Sequence, residues 1–481
     1  MTVYEVSMVK KHLWINGKEV QTEDYSPLYS PYTREAIAEI AVASKEQTQQ
    51  AIKASFDSKD GFAKMPAFER AQILENAVTL LRKHFDEAAE IITNETSKPI
   101  TFSKGEVSRT IETYKFAAEE AKRIHGETIP FDAASGGVGR VGYTVRNPIG
   151  VIGAITPFNF PMNLVAHKVG PALASGNAAV LKPASQTPLS ALFIAKLFQQ
   201  AGLPDGVLNV VTGPGRTVGD ALVEDERVNM ITFTGSTSVG INIRNKAKLK
   251  KTTLELGSNA ALIIDQNVNI EKIIDRCVMG AFSNQGQVCI SLQRIYVHEA
   301  IHEEFTEKFV EATKKLKLGD PFDPETYISA LISPDDLDRS LNWIEEAKQN
   351  NARILTGGKA SRNILEPTII QDAAAELKVS CQEVFSPIVT INKVFSIEEA
   401  ISHVNHSRFG LQAGIYTESV TNALLASNKL HVGAVIINDI PTFRVDHMPY
   451  GGVKESGTGR EGIRFAVEEM TELKLIVWNQ N

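Results

Sequence analysis

The chain has 481 residues, of which 43% are hydrophobic and 22% charged, as expected for a soluble globular protein of two or three domains. A formal net charge of −7 provides no basic surface for nucleic acid, and no apolar run reaches the roughly 18 residues of a membrane helix. The N-terminal residues have no apolar stretch typical of a secretory signal, and three widely spaced cysteines fit neither a disulfide framework nor a zinc site. We therefore expect a cytoplasmic protein without a metal site.

The first third of the chain carries a hairpin signal and two long helical patterns. Asn16 and Gly17 interrupt apolar residues in "WINGKEV", which predicts a tight β-hairpin. Apolar residues recur at helical spacing over 67–95 and over 106–125, and they predict two long helices. The glycine-rich stretch 134–142 predicts an irregular connection within a protruding hairpin.

From residue 149 onwards, short apolar strands alternate with helices. Strands are predicted at 149–155, 178–182, 207–211 and 229–233, with helices near 163–174, 188–201 and 217–224. A second set follows residue 289, with strands predicted at 293–298, 386–391, 413–417 and 433–438. This alternation predicts an α/β protein with two doubly wound units that contain parallel sheets.

Two glycine-containing turns follow predicted strands and are candidate phosphate sites. "GPGRTVG" (213–219) differs by one residue from the dinucleotide-binding spacing, so an ordinary strand-to-helix turn is an equal alternative. In "FTGSTSVG" (233–240), Gly235 precedes Ser236 and Thr237, which are good helix N-caps. Free backbone N–H groups at a helix start bind phosphate, although a simple capped helix remains the alternative.

Cys289 is the cysteine with an unusual neighbourhood. Cys277 lies on an apolar helical pattern and is expected in the core, and Cys381 has no evident activator. Cys289 lies in "SNQGQVCIS" (283–291), where Gly286 would let the backbone approach a ligand and the Cys289 backbone N–H would stabilise an oxyanion. A nucleophilic thiolate requires activation, and no nearby histidine has a suitable spacing, so a cysteine without a catalytic role remains possible here.

Three further polar residues stand at or near predicted strand ends. Asn159 follows the first strand of the parallel set, at the edge where such sheets bind ligands. Lys182 ends the next strand, and Glu255 lies in a largely apolar stretch, where a carboxylate is either paired or has a raised pKa suited to a base. Each has a structural explanation by itself. Together with Cys289 they supply a nucleophile, a base, an amide donor and a cation.

Over essentially its whole length, the chain resembles the NAD(P)-dependent aldehyde dehydrogenases. Seven motifs match in the order of that family: "TPFNFP" (156–161), "LKPAS" (181–185), "FTGSTSVG" (233–240), "LELGSN" (254–259), "GQVC" (286–289), "EVFSPI" (383–388) and "MPYGGVKESGTGREG" (448–462). The resemblance implies that Cys289 attacks the aldehyde and that Asn159 and the Cys289 backbone N–H hold the oxyanion. It also implies that Glu255 activates the water that hydrolyses the thioester.

The resemblance further implies a site for NAD or NADP. Lys182 and Ser236 would contact the ribose and phosphates, Glu383 would hold the nicotinamide ribose, and Phe385 would pack beside that ring. In this reading "GPGRTVG" is at most a secondary contact. The implied cofactor-binding residues are Ile155, Thr156, Pro157, Phe158, Lys182, Ser185, Gly215, Phe233, Gly235, Ser236, Leu256, Glu383 and Phe385.

Ser185 departs from the family pattern in a way that concerns the cofactor. Many members have an acid at this position that binds the adenosine ribose hydroxyls. A serine removes the repulsion against a 2′-phosphate, so NADP becomes plausible beside NAD. Phe158 stands where tryptophan is frequent, and Gly257-Ser258 replaces a double glycine.

Arg109 and Arg444 are similar to arginines that bind the anionic end of the substrate in relatives acting on phosphorylated, phosphonated or sulfonated aldehydes. Arginine suits tetrahedral oxyanions and carboxylates because it donates two parallel hydrogen bonds. The expected substrate is a small aldehyde with an anionic or hydroxyl group, such as a lactaldehyde-, glyceraldehyde phosphate- or sulfolactaldehyde-like compound. Ordinary salt bridges are the alternative for both arginines.

Three other functions compete with this reading. A CoA-acylating dehydrogenase generally lacks the base at the position of Glu255, so the presence of Glu255 argues against it. A cysteine hydrolase would need an activating histidine, which no motif provides. A non-catalytic structural protein on the same scaffold is disfavoured because Cys289, Glu255 and Asn159 are all present.

The resemblance also implies a domain organisation. Residues 1–124 and 150–257 would bind NAD(P), residues 258–455 would form the catalytic domain, and 125–149 with 463–481 would form oligomerisation strands. The strand extension has exposed edges, which a partner subunit normally covers, so we expect a homodimer or homotetramer.

Overall fold

Two large sheets organise the chain, each with helices on both faces. The computed structural model describes residues 9–480, and within them it contains one eight-stranded and one seven-stranded sheet. The change from the first sheet to the second falls between Glu255 and Ala261. This arrangement confirms the predicted α/β class with two doubly wound units.

The first sheet has a parallel centre with antiparallel edges. Across the sheet its strands are Gly457–Thr458, Lys251–Glu255, Met230–Thr234, Val151–Ile155, Ala178–Lys182, Leu208–Val210, Leu13–Ile15 and Lys18–Val20. The two strands that follow Val151–Ile155 in the chain lie on one side of it in the sheet. The next strand, Met230–Thr234, pairs with it on the other side. The strand order therefore reverses between these two neighbours, and such a switch point opens a crevice at the carboxyl ends of the strands.

The second sheet follows the same plan. Across the sheet its strands are Arg353–Thr356, Thr368–Gln371, Ile388–Val394, Arg294–His298, Ala261–Ile264, Gln412–Tyr416 and Ala434–Ile437. Its first strand is antiparallel to its neighbour and the others are parallel.

Alternate residues of the central strands enter different cores. Ile152 packs with the helix Asn163–Ala174 on one face of the first sheet, whereas Val151 packs with the helix Lys45–Ala63 on the other. In the second sheet Leu262 and Ile264 enter one core and Ala261 and Ile263 enter another. Both faces are buried, which explains why these strands are continuous apolar runs rather than alternating ones.

A third, antiparallel sheet stands apart from the two large ones. It consists of Thr128–Ile129, Arg140–Pro148 and Thr471–Asn479, and the last two strands pair over their full lengths. Residues 134–139 of the glycine-rich stretch lie in the predicted connection between its first two strands, whereas residues 140–142 already belong to the second strand. Smaller sheets are formed by Lys10–Lys11 with Ala36–Ala41 and Tyr25–Tyr29, by Ala360–Ser361 with Ile364–Leu365, and by Phe409–Gly410 with Val453–Lys454.

The α-helices of residues 9–480 are Lys45–Ala63, Ala67–Lys83, Phe85–Thr96, Ile100–Ala121, Asn163–Ala174, Pro188–Gln200, Asp220–Glu224, Thr237–Lys246, Ile270–Phe282, His302–Thr313, Pro334–Gln349, Lys378–Cys381, Ile397–Asn405, Val420–Lys429 and Ile463–Glu469. Within residues 9–480, no helix is both long enough and apolar enough to span a membrane.

The predicted hairpin at Asn16-Gly17 is confirmed, with Leu13 paired to Val20 and positive φ angles at both turn residues. The prediction of one helix over 67–95 is wrong, because the chain leaves helical geometry at His84. The resulting two helices both pack against Ile100–Ala121, and the bend at His84 makes this possible.

Candidate functional site

A cavity of about 740 Å³ opens at the switch point of the first sheet. It lies beyond the carboxyl ends of Val151–Ile155, Ala178–Lys182 and Met230–Thr234, the position at which open α/β sheets bind ligands. We call it the larger cavity. Of the predicted cofactor residues, those that line it are Ile155, Thr156, Pro157, Phe158, Lys182, Gly215, Phe233, Gly235, Ser236, Leu256, Glu383 and Phe385.

Ser185 is the exception among the predicted cofactor residues. Its side chain is exposed and donates to the carbonyl of Gly213 at 3.4 Å, whereas its neighbours Ala184 and Gln186 line the larger cavity. Ser185 therefore lies at the rim. Arg216 also lines this cavity, and within residues 9–480 it has no ion-pair or hydrogen-bond partner.

The helix Thr237–Lys246 begins at the wall of the larger cavity. Ser236 occupies the N-cap position, but its hydroxyl does not cap the helix, so the first backbone N–H groups are not satisfied by that side chain. Lys182 lies across the cavity, and burial lowers the pKa of its ammonium group to about 8. An uncapped helix N-terminus and a buried lysine on one cavity are groups of the kind that bind phosphate oxygens.

The loop 283–291 is held by its own amide side chains. Asn284 Nδ2 donates to the carbonyl of Asn159 at 3.2 Å, and Gln285 Nε2 donates to the carbonyls of Ser97 and Ala330. Asn284 and Gln285 have φ angles of 50° and 56°, a strained conformation for residues other than glycine. The amide side chains near Cys289 thus hold the loop in place. Backbone strain of the kind seen at Asn284 and Gln285 clusters at functional sites.

Gly286 does not serve the purpose that the sequence suggested. A Cβ atom at this position would lie 2.2 Å from the carbonyl oxygen of Ser386, and the φ angle is +70°. The close approach is therefore between two protein backbones rather than between backbone and ligand.

Cys289 lies between the larger cavity and a second one. The second, of about 460 Å³, is lined on one side by Arg109, Phe160, Arg444 and Tyr450, and we call it the smaller cavity. Cys289 lines both cavities. Burial raises the pKa of its thiol to about 11, while a hydrogen bond with Tyr450 opposes that rise.

The Asn159 amide lies beside the cysteine loop. Its Nδ2 donates one hydrogen bond, at 2.9 Å, to the carbonyl of Gln287, which leaves its second N–H for another acceptor. Within the described residues, the backbone N–H of Cys289 has no acceptor either. Asn159 and Cys289 line the same cavity, and each has a donor N–H without an acceptor among the described residues.

Lys98 holds the backbone of Asn159 in place. Its ammonium group donates to the Asn159 carbonyl at 2.7 Å and pairs with the carboxylate of Glu106, and both side chains are fully buried. Glu106 also accepts hydrogen bonds from the backbone N–H groups of Met162 and Asn163. No motif in the sequence marks this pair, because Lys98 lies in a short connection between two helices and Glu106 lies at an ordinary position within the second helix.

Two carboxylates face the larger cavity with different surroundings. Glu255 is 3% exposed and neither carboxylate oxygen has a hydrogen-bond partner among the described residues. Burial, and the nearby charge of Glu461, raise the pKa of Glu255 well above its usual value. Glu383 accepts a hydrogen bond from the backbone N–H of Ser258 at 3.0 Å, and burial raises its pKa to about 7.

Phe158 and Phe385 form part of the same wall. Their ring centroids lie 5.7 Å apart in an edge-to-face arrangement. Phe385 has a φ angle of 52°, which is strained for a bulky residue.

Both predicted substrate arginines line the smaller cavity, and each is paired with an acid. Arg109 binds Asp446 with two hydrogen bonds, and Arg444 donates to Glu461 at 2.9 Å. Arg109 is about one-third exposed, while Arg444 is buried and its Nε has no hydrogen-bond partner in the described part of the chain. The salt-bridge alternative therefore holds for both arginines, and both residues also line the smaller cavity.

A buried polar network continues behind these arginines. Lys168 donates to Glu461 at 3.0 Å, and His167 contacts Asp446 at 2.9 Å. Burial opposes ionisation, but the charges of Lys168 and Arg444 hold the pKa of Glu461 well below its usual range. Glu461 and Tyr450 lie within a recognised motif, whereas Lys168 and His167 lie on an apolar helix and gave no signal.

The sequence and structure were compared with those of known proteins. The model of the aldehyde dehydrogenase family matches residues 14–476. The chain is 46% identical over 476 residues to a 3-sulfolactaldehyde dehydrogenase of Priestia aryabhattai, covering 98% of this chain and 99% of the relative. It is 41% identical over 470 residues to a lactaldehyde dehydrogenase of Methanococcus aeolicus, covering 97% and 98%.

Among solved structures, the fold is similar to the glyceraldehyde-3-phosphate dehydrogenase GapN of Methanocaldococcus jannaschii complexed with NADP. The TM-score is 0.92 at 38% sequence identity, with 96% of this chain and all of the other covered (100%).

Proposed function

This chain belongs to the aldehyde dehydrogenase family, and from that membership we propose that it oxidises an aldehyde to the carboxylic acid through a covalent intermediate on Cys289. The observation that carries the proposal is the position of the Cys289 thiol, which lines the larger and the smaller cavity at once. A nucleophile in that position reaches a dinucleotide on one side and an aldehyde on the other.

The residues of the larger cavity fit NAD or NADP. The hydroxyl of Thr156 is buried without a partner among residues 9–480, and one oxygen of Glu383 is also unpaired there. The helix start at Ser236 and the ammonium group of Lys182 would bind the phosphates, while Glu383 would bind a ribose hydroxyl. When bound, the nicotinamide accepts the hydride that leaves the former aldehyde carbon.

In the first step, the Cys289 thiol gives its proton to water in the cavity and the sulfur attacks the aldehyde carbon. The S–C bond forms, and the carbonyl π electrons move onto the oxygen. The Asn159 amide and the Cys289 backbone N–H would stabilise that oxyanion. The carbonyl is restored as the hydride departs, which leaves a thioester on Cys289.

In the second step, Glu255 would accept a proton from the water that attacks the thioester. The C–S bond breaks with its electron pair on the sulfur, and the carboxylic acid is released. Glu255 is suited to this step because it is buried beside the larger cavity with no competing partner within residues 9–480. Its raised pKa places proton acceptance nearer to neutral pH than for an ordinary carboxylate.

The smaller cavity would select a small aldehyde with an anionic or hydroxyl group. The guanidinium groups of Arg109 and Arg444 and the ammonium group of Lys98 all line it, and the acids that pair with them limit its net positive charge. The names of the relatives, 3-sulfolactaldehyde dehydrogenase and lactaldehyde dehydrogenase, support this substrate class.

A CoA-acylating reaction is the alternative within the family. It would replace the attacking water with a thiol, and the unpaired carboxylate of Glu255 would then have no function. A non-catalytic scaffold protein is the alternative from another class, and the strained, amide-fixed loop around Cys289 argues against it.

We further propose that the protein forms a homo-oligomer and acts in the cytoplasm. The strand Thr471–Asn479 exposes Leu473, Leu475 and Trp478, which supports a homodimer or homotetramer. Three free cysteines, with no disulfide among the described residues, support the reducing cytoplasm as its location.

The test is an assay of the purified protein with a panel of anionic, hydroxylated and neutral aldehydes, with NAD and NADP in parallel. We expect NAD(P)H formation and release of the free acid, with and without added CoA. Absence of turnover across the panel, with cofactor binding shown by calorimetry, would support the scaffold alternative, and an acyl-CoA product would support acylation.

A further inference from the structure

One hydroxyl contacts the sulfur of Cys289. Tyr450 Oη lies 2.7 Å from Cys289 Sγ, and within residues 9–480 it is the sole hydrogen-bond partner of that sulfur. Tyr450 is 2% exposed, so its hydroxyl is largely withdrawn from bulk solvent. The sequence offered no activator beside Cys289, and Tyr450 reaches it from 161 residues away.

Tyr450 is held by its backbone and by a cation over its ring. Its backbone N–H and carbonyl both hydrogen-bond to the backbone of Glu461, at 3.0 and 2.7 Å. The guanidinium of Arg444 lies 3.7 Å from the ring centroid, and Arg444 is itself held by the Glu461 carboxylate. The hydroxyl therefore meets the sulfur in a fixed position.

The cation over the ring makes Tyr450 a better hydrogen-bond donor. A guanidinium facing an aromatic ring is attracted to its electron density and stabilises negative charge that develops on the phenol oxygen. Arg444 accordingly opposes the rise in the pKa of Tyr450 that burial causes. The phenol remains protonated at neutral pH, so its O–H is available to the sulfur.

We propose that the Tyr450 hydroxyl donates a hydrogen bond to the Cys289 sulfur as the thiol loses its proton, which makes Tyr450 a further catalytic residue. Tyr450 keeps its own proton throughout. The S–H proton passes to water, and the sulfur carries the charge until the S–C bond forms. The inference rests on the proposed function, because it assigns a partner to the same nucleophile.

The thiol needs such a donor because burial and two nearby carboxylates disfavour its ionised form, and only Arg444 among the nearby charged groups favours it. The charged groups that influence it are Arg444 on the side of the smaller cavity and Glu255 and Glu383 on the side of the larger one. The two carboxylates, when ionised, repel a thiolate, and burial withdraws it from water. A hydrogen bond to an ionised group is about twice as strong as one between neutral groups, so it acts on the thiolate more than on the thiol.

The experiment is the pH dependence of Cys289 alkylation by iodoacetamide in the full-length protein, without aldehyde or cofactor. Peptide mass spectrometry would follow Cys289 separately from Cys277 and Cys381. We expect Tyr450→Phe to reduce the alkylation rate at neutral pH about tenfold or more and to displace the pH profile upward. Phenylalanine keeps the ring beneath Arg444, so packing is conserved.

Tyr114→Phe is the matched control. Tyr114 is fully buried, its hydroxyl has no partner in the described part of the chain, and it lines neither cavity. The control should leave the alkylation profile unchanged, and thermal melting would verify that both variants fold.

Identical alkylation profiles for wild type and folded Tyr450→Phe would overturn the proposal. Slower aldehyde oxidation with an unchanged alkylation profile would also overturn it, because Tyr450 would then act on the substrate rather than on the sulfur. The assay needs no aldehyde turnover, so a displaced profile in a protein that oxidises no aldehyde would count against the proposed function alone.

Discussion

The guanidinium of Arg109 donates to both carboxylate oxygens of Asp446, with Nη2 2.6 Å from Oδ1 and Nε 3.2 Å from Oδ2. The two residues are 337 positions apart in sequence and meet at the wall of the smaller cavity. Asp446 also accepts a hydrogen bond from Asn163 Nδ2 at 3.0 Å. The carboxylate therefore orients Arg109, which remains about one-third exposed.

Arg109→Leu should raise KM for an anionic aldehyde about tenfold or more and change KM for a neutral aldehyde little. Leucine removes a charge-assisted donor from the smaller cavity while it leaves Cys289 in place. Steady-state kinetics with a matched pair of aldehydes provides the measurement. Arg276→Leu is the control, since Arg276 makes the same two-pronged pair with Asp439 away from both cavities. Equal effects of Arg109→Leu on both aldehydes would contradict the assignment.

Arg444→Leu should affect stability as well as substrate binding. Arg444 is buried against Glu461, and its removal leaves a buried carboxylate with one cationic partner fewer. Loss of one partner of a buried ion pair costs about 3–5 kcal/mol, so denaturant unfolding should show a lower free energy of unfolding. An unchanged unfolding midpoint would show that Lys168 alone satisfies Glu461.

Asn159→Ala should lower kcat about 100- to 1,000-fold with a smaller change in KM, because an oxyanion donor acts mainly in the transition state. Its control is Asn76→Ala, which removes an amide that donates to the Ala201 carbonyl outside the site. If Asn159→Ala and Asn76→Ala reduced kcat equally, the Asn159 amide would be a structural group.

Glu255→Gln should block hydrolysis of the thioester while it permits its formation. The expected result is a rapid burst of one NAD(P)H per active site followed by slow turnover, measured by stopped flow. In the wild type, the base form of Glu255 appears only as pH rises through a pKa above the usual carboxylate value. Hydrolysis should therefore accelerate with rising pH, and Glu255→Gln should remove that dependence.

Ser185→Glu should raise KM for NADP about tenfold or more and change KM for NAD little. A carboxylate at the rim of the larger cavity would repel a 2′-phosphate, whereas the ribose hydroxyl of NAD is uncharged. Ser185→Ala is the matched control. Arg216→Ala should also weaken NADP selectively, because Arg216 lines that cavity with no acidic partner among the described residues. If each substitution weakened the binding of NAD and NADP equally, a contact with the 2′-phosphate would be excluded.

Leu475→Glu should convert the expected dimer or tetramer into a smaller species. Leu475 is 52% exposed on the strand Thr471–Asn479, and a charge there would have to be buried in a subunit interface. Sedimentation velocity would compare it with Lys474→Glu, which alters a neighbouring residue on the opposite face of the strand. A monomeric wild type would remove the basis of this prediction.

Sequence reasoning found most of the larger cavity because its walls are built from local signals. Thr156 and Gly235 each follow a short apolar strand and Lys182 ends one, and parallel strands bring their carboxyl ends to one edge. It did not find the partners that hold the reacting groups. Lys98 and Asn159 are 61 residues apart in sequence, and Tyr450 and Cys289 are 161 apart. Contacts between such distant residues leave no local pattern in the sequence.

Hydrophobic period, turn residues and family motifs can be read along the chain, and from them alone follow the class of fold, many of the strands of the two large sheets and the candidate nucleophile. Three features required the folded chain: Arg109 and Arg444 are each paired with an acid, Gly286 packs against Ser386, and Tyr450 contacts the sulfur. These are charge balances and close contacts between distant segments. Their energies depend on distance in space and on exclusion of water, neither of which is fixed until the sheets have packed.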